Sequence, residues 1–254
     1  AGATNFENLI GTAGAETLKG DNNANVLTGK NGADTLYGYG GNDTLHADSS
    51  GSTNQTSADI LYGGAGNDTL YGNAGDNTLD GGTGADTIIS YGGSDTIVLR
   101  SGDGGATQSE GDTVTDFTDG TDSLGLDSLN FGDLTIEQSG SDTVIKEGSS
   151  YLVTLTGISA SNVTVLDFQS ATTSNQTLNG TSSDDTLIGG AGNDTLNGGA
   201  GSDTLLGWNG NDTFNIRSKS GAYSDTVNAG AGTDTLDINY SGITNLGSLT
   251  ITYD

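Results

Sequence analysis

Read for polarity alone, the chain repeats a nine-position pattern in which a polar, glycine-rich run is followed by one apolar residue. The units GTAGAETLK (11–19), GDNNANVLT (20–28), GKNGADTLY (29–37) and GYGGNDTLH (38–46) are contiguous. After a longer unit at 47–62 the pattern resumes as GGAGNDTLY (63–71), GNAGDNTLD (72–80), GGTGADTII (81–89) and SYGGSDTIV (90–98). A second array reads GTSSDDTLI (180–188), GGAGNDTLN (189–197), GGAGSDTLL (198–206) and GWNGNDTFN (207–215), then an irregular unit ending at Asp225 and AGAGTDTLD (229–237). The apolar position holds Leu18, Leu27, Leu36, Leu45, Leu61, Leu70, Leu79, Ile88 and Ile97, then Leu187, Leu196, Leu205, Phe214, Val227 and Leu236.

A Thr-apolar-x triplet is too short for a helix and suits a brief strand. The glycines before it permit the left-handed backbone that a tight turn needs. Alternation across the strand sends the apolar side chain inward and its Thr neighbour outward. Two turn-strand units then close one coil of a flattened spiral, with coils stacked at about 4.8 Å. The sequence therefore predicts an all-β protein built as a repeat solenoid.

The pattern changes between the arrays. LTIEQ, DTVIK, YLVTL and NVTVLDF alternate as strand candidates separated by SGS and EGSS turns. They predict a small antiparallel β element capping the first array. GTDTLDINYSGITNLGSLTI (232–251) parallels GTDSLGLDSLNFGDLTI (120–136), which predicts a second, truncated cap. The expected organisation is a first array over 1–116, a β-rich cap or spacer over 117–172, a second array over 173–237 and the start of another cap over 238–254.

Composition sharpens this picture. With 44 Gly, no Pro, no Cys, no Met and a formal net charge of −27, the chain lies far from average usage. Such charge repels nucleic acid and anionic lipid. Low hydrophobicity at this charge ordinarily means disorder, so the repeat needs something that neutralises its carboxylates. Without Cys there is neither a disulfide framework nor a Cys-ligated zinc site. No stretch reaches the 18 or so apolar residues of a membrane span and no signal-peptide pattern is present. The missing initiator Met points to a processed piece of a longer protein.

The sixth position of each unit supplies the carboxylates. It holds Glu16, Asn25, Asp34, Asp43, Asp59, Asp68, Asn77, Asp86 and Asp95, then Asp185, Asp194, Asp203, Asp212, Asp225 and Asp234. Units two apart share an edge of the spiral, so their carboxylates stack. Two such charges repel by roughly 1 kcal/mol in water and about 4 kcal/mol at an effective dielectric near 20. A divalent cation between them reverses the sign. Calcium prefers six to eight oxygens from carboxylates and carbonyls, and the unit offers both.

Gly-Gly-x-Gly-x-Asp-x-apolar-x, as in GGAGNDTLY (63–71) and GGAGNDTLN (189–197), resembles the nonapeptide of RTX (repeats-in-toxin) proteins. The resemblance implies a parallel β-roll whose edge loops share several calcium ions. One loop would give carbonyls from positions 2 and 4 with its position-6 carboxylate. The loop one coil along would give carbonyls from positions 1 and 3 with its own. Carried onto this chain, Gly64, Gly66 and Asp68 join Gly81, Thr83 and Asp86. Gly190, Gly192 and Asp194 join Gly207, Asn209 and Asp212, and Thr181, Ser183 and Asp185 join Gly198, Ala200 and Asp203. Tyr39, Gly41 and Asp43 meet Gly63, Ala65 and Asp68 if the seven extra residues of 47–62 bulge outward. Asp34, Asp59, Asp95, Asp225 and Asp234 are further candidates, and sites at Glu16, Asn25 and Asn77 are expected to be weaker or empty.

No catalytic constellation accompanies these residues. His46 is the only His, which excludes HExxH, and no GxSxG occurs. The outward Thr residues and Tyr37, Tyr62, Tyr71 and Trp208 read as strand propensity and sheet shielding, with a surface polysaccharide as a lesser alternative. The reading is a non-enzymatic calcium-binding module of a large secreted or cell-surface bacterial protein, adhesin-like or S-layer-like. Type I secretion is implied by the resemblance. Self-association or contact with neighbouring modules of the same protein is a further expectation. The alternative is an accessory region of a secreted protease, lipase, epimerase or pore-forming toxin.

Overall fold

The computed structural model describes residues 7–48, 55–129, 131–170, 175–217, 224–239 and 248–252. Among these every regular element is a strand, apart from three single-turn 3₁₀ segments. The chain divides into two compact units, residues 1–124 with 134–167, and residues 125–133 with 168–254.

In the first unit one sheet stacks β1 (Asn8–Ile10), β3 (Val26–Thr28), β5 (Thr44–His46), β7 (Thr69–Asn73), β9 (Thr87–Tyr91) and β11 (Asp112–Val114). The other stacks β2 (Thr17–Lys19), β4 (Thr35–Gly40), β6 (Ile60–Ala65), β8 (Thr78–Thr83), β10 (Thr96–Arg100) and the first two residues of β12 (Ser123–Asp127). Successive units alternate between the sheets, and neighbouring strands are parallel with like positions in register. Leu27 pairs Leu45, Leu45 pairs Leu70 and Leu70 pairs Ile88. Leu18 pairs Leu36, Leu36 pairs Leu61 and Leu61 pairs Leu79. All but Leu18, at 8 %, have no exposed surface. The register passes undisturbed over the long unit, since Thr35 pairs Ile60 and Thr44 pairs Thr69. Residues 49–54 of that unit lie outside the described residues.

The parallel stack runs further than the nonapeptide pattern. β11 pairs β9 with Thr113 opposite Thr87, and Ser123 at the start of β12 donates its N–H to the Asp95 carbonyl at 2.8 Å. β13 (Leu134–Ser139), β14 (Asp142–Glu147) and β15 (Ser150–Leu155) pair antiparallel, and β15 joins β11 in parallel. NVTVLDF, expected as a strand, instead forms a 3₁₀ turn at Val165–Asp167 before β16 (Phe168–Ser170). The Asp167 carboxylate accepts the Thr164 N–H at 2.7 Å, a local bond that competes with extended pairing.

The second unit repeats the plan. β17 (Thr177–Asn179), β19 (Thr195–Asn197), β21 (Thr213–Arg217) and β23 (Thr235–Asn239) form one sheet. β18 (Thr186–Gly190), β20 (Thr204–Trp208), β22 (Ser224–Asn228) and β24 (Ser248–Thr252) form the other. Leu187, Leu205 and Val227 from one sheet pack with Leu196, Phe214 and Ile216 from the other in a single core. β24 lies parallel to β22, with Leu249 opposite Asp225 and Ile251 opposite Val227. Residues 240–247 of the expected second cap lie outside the described residues.

Candidate metal centre

The position-6 residues form ladders along the edges of the coils. Up to Asp95 in the first unit and Asp212 in the second, each donates its backbone N–H to the Oδ1 of its counterpart one coil on. Asp43 bonds Asp68 and Asp68 bonds Asp86, both at 2.6 Å, and Asp194 bonds Asp212 at 2.8 Å. The ladder spans irregular lengths without loss of register. Asp34 reaches Asp59 at 2.6 Å, Asp203 reaches Asp225 at 3.0 Å and Asp212 reaches Asp234 at 2.9 Å. Asp185 reaches Asp203 at 3.1 Å. Two members lie outside the nonapeptide pattern: Asp112 accepts from Asp86 at 2.9 Å and Asp122 accepts from Asp95 at 3.0 Å.

The second carboxylate oxygen distinguishes the loops. Oδ2 of Asp34, Asp43, Asp68, Asp86, Asp95, Asp194 and Asp212 is buried with no hydrogen-bond partner. In each of these loops position 2 has a positive φ: Lys30 (78°), Tyr39 (75°), Gly64 (114°), Gly82 (89°), Tyr91 (69°), Gly190 (105°) and Trp208 (71°). In four loops that lack that conformation, the position-2 N–H turns onto the position-6 side chain. Thr12 donates to Glu16 at 3.1 Å, Asp21 to Asn25 at 2.7 Å, Thr118 to Asp122 at 2.7 Å and Thr181 to Asp185 at 2.6 Å. Every loop with an open carboxylate oxygen thus has a left-handed position 2, although Gly199 (89°) and Gly230 (79°) share that conformation in loops whose Asp203 and Asp234 do not belong to the set. For Lys30, Tyr39, Tyr91 and Trp208 the conformation costs about 1–2 kcal/mol each, so the surrounding loop must hold it.

Backbone oxygens face the open carboxylate. A β carbon on Gly63 would sit 2.5 Å from both Asp68 Oδ2 and the Gly81 carbonyl oxygen, so these oxygens converge over a glycine with no side chain. The same convergence occurs at Gly38, between Asp43 Oδ2 and the Gly63 carbonyl, and at Gly189, between Asp194 Oδ2 and the Gly207 carbonyl. Position-4 N–H groups bond position-3 carbonyls one coil on, as Gly41 to Ala65, Gly66 to Thr83 and Gly210 to Ala231, each at 2.9 Å. Asn209 donates to the Gly190 carbonyl at 2.9 Å and Ala200 to the Thr181 carbonyl at 3.0 Å. A carbonyl has two lone pairs, so each of these retains accepting capacity.

These surroundings raise the carboxyl pKa values, chiefly through burial. Asp43, Asp68 and Asp212 are pushed up to about 6 and Asp95 to about 7. Asp34, Asp86 and Asp194 shift in the same direction for the same reason. Asp112 reaches about 9, through burial and then the neighbouring Asp86 charge. An isolated buried carboxylate costs several kcal/mol, and among the described residues none of these Asp side chains is in a salt bridge. Among the described residues no three acidic, His or Cys side chains converge on one point. The donor set is instead two carboxylates and backbone carbonyls, all hard oxygens, which suits calcium and no softer metal.

Two expected members stand apart. Asp59 Oδ2 accepts from Asn73 Nδ2 at 2.6 Å and from the Ser57 hydroxyl at 3.3 Å. Asn73, fully buried, also accepts from Gly75 N–H at 2.6 Å, so an amide satisfies this loop. Sequence reading missed Asn73, although Asn73 and Asn77 fall in the same unit. Asp185 is the other, with its outer oxygen held by Thr181. The aromatic side chains stack on one another: Tyr37 and Tyr62 lie 4.9 Å apart, and His46 and Tyr71 lie 4.6 Å apart.

The family model for the RTX calcium-binding nonapeptide repeat matches residues 10–45, 55–88, 71–105, 175–214 and 219–237, together more than half of the sequence. The chain belongs to the RTX family. Its fold, an all-β parallel β-roll, and its calcium-binding repeats follow from that membership and from the parallel ladders. Comparison with curated proteins gives no match. Among solved structures the chain is similar to the solution structure of the AlgE6R3 subunit from the Azotobacter vinelandii mannuronan C5-epimerase. Identity is 26 %, covering 63 % of this chain and 81 % of that one, with a TM-score of 0.24. Among the described residues of this RTX chain no helix is long and apolar enough to cross a membrane.

Proposed function

We propose that this RTX chain is a calcium-dependent structural module of a secreted or surface-attached bacterial protein, folding where calcium is plentiful. The carrying observation is the set of buried, unpartnered Asp oxygens, each in a loop opened by a left-handed position 2. Gly64, Gly66 and Asp68 with Gly81, Thr83 and Asp86 would hold one ion. Tyr39, Gly41 and Asp43 with Gly63, Ala65 and Asp68 would hold a second, and Gly190, Gly192 and Asp194 with Gly207, Asn209 and Asp212 a third. Asp34 and Asp95 offer the same open oxygen, and Asp203, Asp225 and Asp234 extend the ladder. Asp59 and Asp185 fall outside the set, because Asn73 and Thr181 occupy their outer oxygens.

A bound divalent cation would supply positive charge directly beside these carboxylates. Sites with dissociation constants of 10⁻⁴–10⁻³ M, as in extracellular modules, separate a calcium-poor cytoplasm from a calcium-rich exterior. At 100 times the dissociation constant each independent site adds about 2.7 kcal/mol. Several sites together match the usual stability of a domain, about 5–15 kcal/mol. The test is far-UV circular dichroism in EDTA and then in millimolar calcium. Loss of the β signal in chelator and its cooperative return on adding calcium are expected. A spectrum unchanged by EDTA would overturn the proposal.

A further inference from the structure

We propose that the first unit holds a calcium ion at a site beyond its nonapeptide units, where the loop 81–86 meets the segment 101–112, with Asp86 and Asp112 as its paired carboxylates and Asp103 offering its backbone carbonyl. The inference rests on the calcium reading above and extends it to residues that carry no repeat motif.

Two hydrogen bonds show that 101–112 replaces a regular loop. In the preceding coil Asp68 N–H bonds Asp86 Oδ1 at 2.6 Å and Gly66 N–H bonds the Thr83 carbonyl at 2.9 Å. One coil on, Asp86 N–H bonds Asp112 Oδ1 at 2.9 Å and Gly84 N–H bonds the Asp103 carbonyl at 3.4 Å. Asp112 thus stands at position 6 and Asp103 at position 3, in a loop too long and irregular to show the period. By analogy with the regular loops, the carbonyls of Gly82 and Gly84 would complete the oxygen set from the other side.

The charge balance at this place calls for a cation. Asp86 is 1 % exposed with Oδ2 unpartnered, and Asp103 is 5 % exposed with Oδ1 unpartnered. Position 3 is neutral in the neighbouring loops, at Ala65 and Thr83, so Asp103 adds a carboxylate that the repeat does not have. The Arg100 guanidinium is engaged with Asp80, through Nη1–Oδ1 at 2.9 Å and Nη2–Oδ2 at 2.7 Å. Asp103 receives a backbone N–H from Arg100 at its other oxygen, Oδ2, at 3.2 Å, and the nearby guanidinium charge offsets only part of the effect of its burial.

The position of the site gives it a role. Asp112 opens β11, which pairs β15 with Asp112 opposite Val153. Tyr151 of β15 donates to the Gly105 carbonyl at 2.8 Å, so the inserted segment lies between the last regular loop and the antiparallel meander. An ion there fastens β13–β15 to the last coil and makes the capping of the solenoid calcium-dependent. Repeat arrays need such an end.

Asp112→Asn tests this, because the amide oxygen can still accept the Asp86 N–H. Calcium stoichiometry by isothermal titration calorimetry and native mass spectrometry should fall by one ion relative to wild type. Hydrogen exchange in saturating calcium should rise across 142–155, whereas Asp194→Asn in the second unit should leave that segment unchanged. Asp103→Asn keeps the backbone carbonyl and should weaken one site about tenfold. It gives a second reading if Asp112→Asn does not fold. Wild-type stoichiometry and affinity in both variants would overturn the inference while leaving the calcium reading intact. A wild-type chain that binds no calcium would overturn both.

Discussion

In the loops that keep an open position-6 oxygen, position 2 is always left-handed. A positive φ there withholds a backbone N–H from the carboxylate, whereas Thr12, Thr118 and Thr181 deliver one. Glycine reaches that conformation without strain, and at Gly82 it is required twice over. With φ at 89°, a β carbon there would lie 2.1 Å from the Gly64 carbonyl oxygen. Gly82→Ala should therefore raise the calcium concentration at the folding midpoint by at least tenfold, equivalent to about 1.4 kcal/mol, read by circular dichroism. The Asp pair makes a sharper contrast. Asp68→Ala removes an open oxygen and should lower the number of bound ions in a calorimetric titration. Asp59→Ala should lower thermal stability by about 1–3 kcal/mol, through the lost Asn73 bond, with the ion count unchanged.

At the scale of the element, a coil combines a thin apolar seam with a charged edge. Leu70 has no exposed surface and stacks between Leu45 and Ile88, so Leu70→Ala should cost about 2–5 kcal/mol of calcium-loaded stability in thermal melts. The charged edge makes the calcium-free coil sensitive to pH. Folded-state pKa values of about 6 for Asp43, Asp68 and Asp212 and about 7 for Asp95 lie above the unfolded value near 3.9. The folded form therefore binds more protons than the unfolded one. Stability is fully present below about pH 4 and lost as pH rises through 6 to 7. In chelator, the β signal should be larger at pH 4.5 than at pH 7.5. In calcium, protons compete for the same oxygens, so the folding midpoint should shift to higher calcium as pH falls from 7.5 to 5.

Over the whole molecule, a net charge of −27 raises the question of whether any salt would suffice. Mobile ions screen exposed charges within a Debye length of about 10 Å at 0.1 M, but they reach buried pairs poorly. The open Asp oxygens are buried, so 1 M sodium chloride with EDTA should not restore the fold that millimolar calcium restores. Circular dichroism under the two conditions distinguishes general screening from site binding. Repeats that contact only their neighbours also couple only to those neighbours. Calcium titration should accordingly be cooperative within a unit.

The period, the inward Leu ladder and the acidic sixth position were legible in the sequence, because stacked identical units must present identical residues at identical places. Family membership and the ion followed from the same repetition. Other features depended on which backbones become neighbours. Asp112 and Asp122 join the ladder although their loops break the period, because register is set by strand pairing and not by residue count. Asn73 reaches Asp59 from fourteen residues away only once the coil has closed. The sign of φ at position 2, which separates Asp68 from Asp185, is a property of the folded loop. The sequence by itself determined where each carboxylate stands along the coil. The tertiary structure decided which of its oxygens remain free, since that depends on the N–H groups the chain brings back to meet them.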